Sequence, residues 1–144
     1  MNFNSINWLA VVLCILVYLT VGALWFGGRK KAFYPAWLKA MGRSESNGPA
    51  QGSSPAVLWP LTVLSAIVQA VFMALMVNAM GILTAGGPTL GLGALAGFIL
   101  WLGFVAPASL TTKLFAGHVK AWALETGNQL LDYVLMGAIL GAWR

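Results

Sequence analysis

Four long apolar stretches determine what this chain of 144 residues can fold into. Each is long enough for a helix that crosses the hydrocarbon core of a bilayer, which takes about 20 residues. The stretches cover residues 6–28, 57–83, 88–112 and 121–142. They are apolar on nearly all sides, as expected for helices that lipid surrounds. The sequence therefore predicts an all-α integral membrane protein, with residues 1–144 forming one four-helix transmembrane bundle.

The low charge content excludes a water-soluble globule. Charged residues make up 8% of the chain and hydrophobic residues 60%, whereas a soluble domain carries about a quarter charged residues. The single cysteine, Cys14, cannot form an internal disulfide. The chain also has no Cys/His cluster with the spacing of a zinc site. We therefore expect neither a metal ion nor a cofactor.

The basic residues predict the orientation in the membrane. Five of them lie between the first two stretches and two between the last two: Arg29, Lys30, Lys31, Lys39, Arg43, Lys113 and Lys120. The positive-inside rule then places both connections in the cytoplasm and both termini outside, for a multi-pass protein of the bacterial inner membrane. Because orientation explains the net charge of +5, the expected partner is the lipid bilayer and not nucleic acid.

The first connection, residues 29–56, divides into two parts. The segment from Phe33 to Gly42 mixes aromatic and aliphatic residues with lysine, which predicts a short interfacial helix in the headgroups. The segment from Arg43 to Pro55 is rich in Ser, Gly, Asn and Pro and predicts a flexible linker. Two tryptophans, Trp37 and Trp101, do not fall where an aromatic belt at the membrane interfaces would place them.

Small residues predict where helices approach closely in lipid. They recur at four-residue spacing in the last three stretches: Ala66, Ala70 and Ala74; Gly93 and Gly97; Gly137 and Gly141. We interpret these faces as contacts within the bundle rather than a dedicated dimer seam, although a homo-oligomer or a larger membrane complex is expected. Pro107 cannot donate to the Gly103 carbonyl, so a kink is expected in the third helix.

Several short motifs carry a resemblance to a known family. In chain order they are Gly22–Phe26 (GALWF), Trp37 with Met41–Gly42, Trp101–Phe104 (WLGF) with Pro107, Leu114–Gly117 (LFAG) and Met136–Leu140 (MGAIL). Over nearly its whole length the chain resembles the small bacterial membrane proteins grouped as domain of unknown function 1761. The resemblance implies a four-helix inner-membrane protein of unassigned activity. The chain departs from it at Glu125 and Asp132, where such proteins usually carry uncharged residues.

The last stretch carries a polar stripe. Glu125 and Asp132 are seven residues apart and share a helix face, with about 20° of angular drift. His118 lies seven residues before Glu125, and Asn128 and Gln129 lie between the two acids. Successive members are roughly 10 Å apart along the axis, too far to ligate one metal ion together. The spacing better suits a hydrated or protonatable track.

Asp132 falls near the bilayer midplane, where an ionised acid costs roughly 2.5–3.5 kcal/mol. We therefore expect a protonated carboxyl or one that faces a hydrated cavity, in a cluster with Tyr18 and Gln69 and beside Trp101. A second layer is expected to contain Thr62, Ser109 and Glu125. The alternative is purely structural: a neutral Asp132 bonded to Gln69, worth about 1 kcal/mol. His118 is expected to be solvated rather than a proton relay.

Three functions are compatible with these features. The favoured interpretation is a non-catalytic oligomeric or accessory membrane subunit, since nothing in the sequence demands more. The first alternative is a proton-coupled small-molecule transporter that uses Asp132 or Glu125. The second is a membrane enzyme acting on a lipid-soluble substrate, with one of these acids as acid/base and His118 at the rim.

Overall fold

Helices account for all regular structure in the computed structural model, which describes residues 6–26, 33–43 and 54–143. In chain order they are α1 (Trp8–Phe26), α2 (Tyr34–Ala40), α3 (Pro55–Leu83), α4 (Leu90–Leu100), a π-helical segment (Trp101–Val105), α5 (Ala106–Phe115) and α6 (Val119–Ala142). The described part contains no strand, so the predicted all-α class is confirmed. Residues 29–31 and 44–53, on which part of the predicted orientation and most of the predicted linker depend, lie outside the described residues.

Three helices within the described ranges are long and apolar enough to cross a membrane. They are α1, most of α3 (Ala56–Leu83) and the continuous helix Leu90–Phe115, which contains α4, the π-helical segment and α5. Many large apolar side chains on these helices point outward, including Leu83 and Phe115, which are 83% and 87% exposed. A continuous apolar surface of this kind is typical of a protein that contacts lipid.

The turn between α5 and α6 is tighter than the sequence predicts. Lys113 and Lys120 were expected in the connection, but Lys113 lies in α5 and Lys120 in α6. The chain reverses through residues 116–118, where Gly117 has a φ of +73°. Such a backbone conformation strongly favours glycine, because a Cβ atom would clash there. The close return brings Lys113 back towards the first turns of α6.

The π-helical segment stands where a kink was expected. The N–H group of Ala106 bonds the carbonyl of Trp101, five residues earlier. Pro107 has no N–H group to continue the regular α-helical pattern, and a single π turn is one way for a helix to accommodate this. The indole Nε1 of Trp101 donates to the Thr126 carbonyl at 3.0 Å. The segment is therefore tied to α6, which gives Trp101 a structural partner.

The core forms where α6 packs against α1, α3 and α4. Gly93 and Gly97 of α4 lie directly against the α6 backbone, at Gly137 and Tyr133 respectively, and a Cβ atom at either glycine would collide with it. Gly141 of α6 lies against Thr89, the residue that precedes the first turn of α4. On α3 the predicted small-residue stripe is buried: Ala66, Ala70 and Ala74. Both sets of small residues therefore serve contacts within one chain.

Candidate functional site

A polar stripe on α6 faces the interior of the helix assembly. The described buried polar residues are Thr126, Asn128 and Asp132, which are 3%, 7% and 2% exposed. All three lie on α6: Asn128 and Asp132 are four residues apart and share one side of the helix, whereas Thr126 lies about 120° round the helix from Asp132. Glu125 extends the stripe towards the start of the helix. The buried polar side chains of the described residues therefore all come from α6, on two sides of that helix.

Glu125 lies at one end of the stripe and has two charged or polar partners. Its Oε1 accepts from Lys113 Nζ and from Trp37 Nε1, each at 2.7 Å. The side chains of the ion pair are 20% and 23% exposed. Lys113 also lies 3.8 Å from the sulfur of Met41. Helix α2 is therefore held against α5 and α6 through one carboxylate.

Aromatic contacts strengthen this attachment of α2. The ring of Trp37 lies edge-on to Phe26 at 5.8 Å and parallel to Tyr34 at 6.0 Å, measured between centroids. Trp25 stacks on Phe33 at 4.2 Å. These rings join the end of α1 to α2. The predicted short helix in this segment is thus present, and it packs on α1 and α6.

Hydroxyl and indole groups lie around Thr126, on the side of α6 that faces α5. Ser109 Oγ lies 3.5 Å from Thr126 Oγ1 and accepts from Trp122 Nε1 at 3.1 Å. Trp122 Nε1 also lies 3.2 Å from the Ala106 carbonyl, which is adjacent to the π-helical segment. Ser109 was expected in a layer with Glu125 and Thr62, but Thr62 bonds the Leu58 carbonyl of its own helix. The layer is therefore built by α5 and α6.

Asp132 is the more deeply buried of the two described acids, and its Oδ1 lacks a partner within the described part of the chain. Three further buried polar atoms share this condition: Asn128 Nδ2, Gln129 Oε1 and Trp25 Nε1. Trp25 approaches α6 at Gly127, where a Cβ atom would be 3.6 Å from its ring. Buried polar groups are normally hydrogen-bonded, and an unpaired group costs about 1–3 kcal/mol. A proton, water or polar ligand is needed to satisfy them.

The predicted partners of Asp132 take different positions. Gln69 Nε2 donates to Ser65 Oγ, one turn earlier on α3, at 2.8 Å. Tyr18 packs against the apolar core. In the described part of the chain, the hydrogen bond of the Gln69 amide therefore goes to its own helix and not to Asp132.

His118 stands at the start of α6, half-buried, and its side chain does not cap the helix. Among the described residues, no group of three or more His, Cys, Asp or Glu side chains is arranged to hold a metal ion. Trp37 and Lys113, the partners of Glu125, were not predicted from the sequence. The position of Trp37 outside any aromatic belt was the one feature of the sequence that indicated a contact with another helix.

These features define a class: an all-helical protein with three helices able to span a membrane and a fourth long helix that carries buried polar side chains. The chain belongs to the family described as protein of unknown function (DUF1761), whose profile matches residues 9–141. The resemblance seen in the motifs is thus confirmed. No curated protein and no solved structure matches the chain.

Proposed function

We propose that this chain is a four-helix transmembrane protein of the bacterial inner membrane that couples proton binding at Asp132 to the transport of a small molecule. Both termini are then on the outer side, as the basic residues predict. The four crossing elements are α1, α3, the continuous helix Leu90–Phe115 and α6.

The dimensions of α6 support its place as the fourth crossing helix. It has 24 residues, which corresponds to about 36 Å at a rise of 1.5 Å per residue. Its hydropathy is lowered by Lys120, Glu125 and Asp132, but Asp132 is buried and Glu125 is paired. A helix whose polar side chains face neighbouring helices can cross a bilayer with such residues, because they avoid contact with lipid.

The observation that carries the proposal is the carboxyl group of Asp132. It is 2% exposed, and its Oδ1 has no partner among the described residues. The structural alternative expects a bond between Asp132 and Gln69, and the bond that the structure shows for Gln69 goes from its Nε2 to Ser65 Oγ. Ionisable residues within membrane helices commonly mark proton or ion pathways. A carboxyl that gains and loses a proton is therefore the function that this geometry supports best.

The test is a pH step applied to proteoliposomes adsorbed on a solid-supported membrane. Protonation of an acid inside the bilayer moves charge, so the wild-type protein should give a transient current. Asp132→Asn should abolish it, and Asp132→Glu should retain it. Thr20→Val is the matched control, because among the described residues this hydroxyl bonds the Leu16 carbonyl of its own helix. A full current from Asp132→Asn would contradict the proposal.

A non-catalytic oligomeric or accessory subunit is the second candidate. The observation in its favour is an exposed apolar stripe along α3: Leu61, Leu64, Val68 and Phe72. These positions share one helix face and suit a second copy or another membrane helix as well as lipid. The native mass of the protein, extracted gently from its own membranes, tests this candidate. A mixed complex would favour it, and a monomer would count against it.

A further inference from the structure

We infer that the molecule bound at Asp132 is a small primary ammonium cation, such as an amino alcohol, held between the Asp132 carboxylate and the amide of Gln129. This inference rests on the proposed function and adds the chemical class of its ligand. The motivating feature is the set of buried polar atoms on one helix that find no partner in the described part of the protein.

Two of these atoms are acceptors. Asp132 Oδ1 and Gln129 Oε1 both lack a hydrogen-bond donor. The residues are three positions apart on α6, so their side chains are neighbours on the helix surface, about 5–6 Å apart at Cβ. A ligand that satisfies both must donate at least two hydrogen bonds. Neither oxygen can satisfy the other, because an ionised carboxylate and an amide oxygen only accept.

The charge of the site favours a cation. The ion pair present in the described residues joins Lys113 to Glu125, which leaves Asp132 without a basic partner there. A buried ionised carboxylate needs an opposite charge close by. When Asp132 is deprotonated, a positively charged hydrogen-bond donor can therefore bind beside its carboxylate. When Asp132 is protonated, the O–H group of the acid supplies the hydrogen bond that the bound cation would otherwise donate.

The ligand set favours ammonium over a metal ion. One carboxylate and one amide oxygen are too few for a hard cation, which takes about six or more oxygen ligands. A primary ammonium group instead carries three N–H donors on a compact charge. Quaternary ammonium ions lack N–H donors and leave Gln129 unsatisfied.

The amide of Asn128 further restricts the chemical class of the ligand. Its Nδ2 is an unpartnered donor, and the residue is 7% exposed. A ligand with a hydroxyl oxygen next to its ammonium group can accept this hydrogen bond. An amino alcohol therefore meets one donor and two acceptors of the site at once, on consecutive turns of α6.

Binding exchanges one cation for another. The proton of the Asp132 carboxyl passes to bulk water, and the ammonium group takes its place against the carboxylate. The titratable side chains on the elements packed against α6 are few: Cys14 and Tyr18 on α1, Tyr34 and Lys39 on α2, and Lys113 on α5. Helices α3 and α4 carry none. On α6 itself, Glu125 is paired with Lys113, and His118 stands at the start of the helix, several turns from Asp132. Asp132 is therefore the group expected to release the proton.

The experiment is calorimetric titration of the protein in lipid nanodiscs with ethanolammonium chloride, in two buffers of different ionisation enthalpy. The difference in heat between the buffers measures the protons released. We expect saturable binding, with release approaching one proton per protein in acidic buffer and falling as pH rises. Tetramethylammonium chloride at equal ionic strength should give less than a tenth of the affinity.

Two variants assign the site. Asp132→Asn should abolish both binding and proton release, and Gln129→Leu should weaken binding by about tenfold or more, because it removes one hydrogen bond to a charged group. Equal affinity for tetramethylammonium, or unchanged binding by Asp132→Asn, would overturn the inference. A pH-step current without ethanolammonium binding would refute the ligand class alone. Loss of both signals in the folded protein would refute the proposed function as well.

Discussion

Replacing Gly93 with alanine is expected to force α4 away from α6. A Cβ atom at this position would lie well inside contact distance of the Gly137 carbonyl, and 3.0 Å from the Cα atom of Gly141. Both neighbours are backbone atoms, so no side-chain rotation can relieve the clash. Overpacking a tight interior costs about 1–3 kcal/mol. Because the backbone must move here, we expect Gly93→Ala to lower the free energy of unfolding by about 3 kcal/mol, at the upper end of this range.

The matched control is Gly91→Ala, two residues earlier on α4. A Cβ atom at Gly91 meets nothing within 4 Å. Both variants gain the same intrinsic helix propensity, about 1 kcal/mol, so their difference isolates the packing cost. The free energy of unfolding can be measured by titrating mixed micelles with SDS while following tryptophan fluorescence. Equal stabilities of the two variants would refute the close glycine packing of α4 on α6.

Three further changes test the polar contacts. Trp37→Phe keeps an aromatic ring but removes the N–H group that bonds Glu125. It should lower the free energy of unfolding by about 1 kcal/mol and speed amide hydrogen exchange in α2. Unchanged exchange would count against the attachment of α2 through Glu125. In a double-mutant cycle, the effects of Lys113→Met and Glu125→Gln on the free energy of unfolding should be coupled by about 1 kcal/mol, because the pair is largely shielded from water. Strictly additive effects would contradict the ion pair. Gln69→Leu should leave the pH-step current intact, because this amide bonds its own helix; loss of the current would mean that Gln69 contacts Asp132 after all.

The positions of the helices could be predicted from the sequence because length and apolar content are local properties. α3 ends at Leu83 and α6 at Ala142, where the apolar stretches end, and both helices begin two residues earlier than predicted. The π-helical segment was only partly foreseeable. Pro107 signals an interruption, but the indole of Trp101 bonds a carbonyl on α6, which depends on which helices meet.

The site was predicted less completely than the helices, because its contacts also depend on which helices meet. The polar face of α6 follows from helix periodicity, so Glu125 and Asp132 could be selected from spacing alone. Their partners lie on other elements: Glu125 meets Lys113 and Trp37. The bond from Gln69 to Ser65 was nevertheless visible in the sequence, because residues four apart on a helix are neighbours. A local partner was available for Gln69, and the long-range pairing with Asp132 was not needed.

The most direct test of a proton-exchanging Asp132 is the infrared absorption of carboxyl groups in the lipid-embedded protein during a pH titration. A protonated carboxyl in an apolar interior has a C=O stretching band separate from those of ionised carboxylates. We expect the wild-type protein to show such a band in acidic buffer, to lose it as pH rises, and to lack it entirely in Asp132→Asn. The same band in Asp132→Asn, or no protonated band in the wild type at any pH, would contradict the assignment.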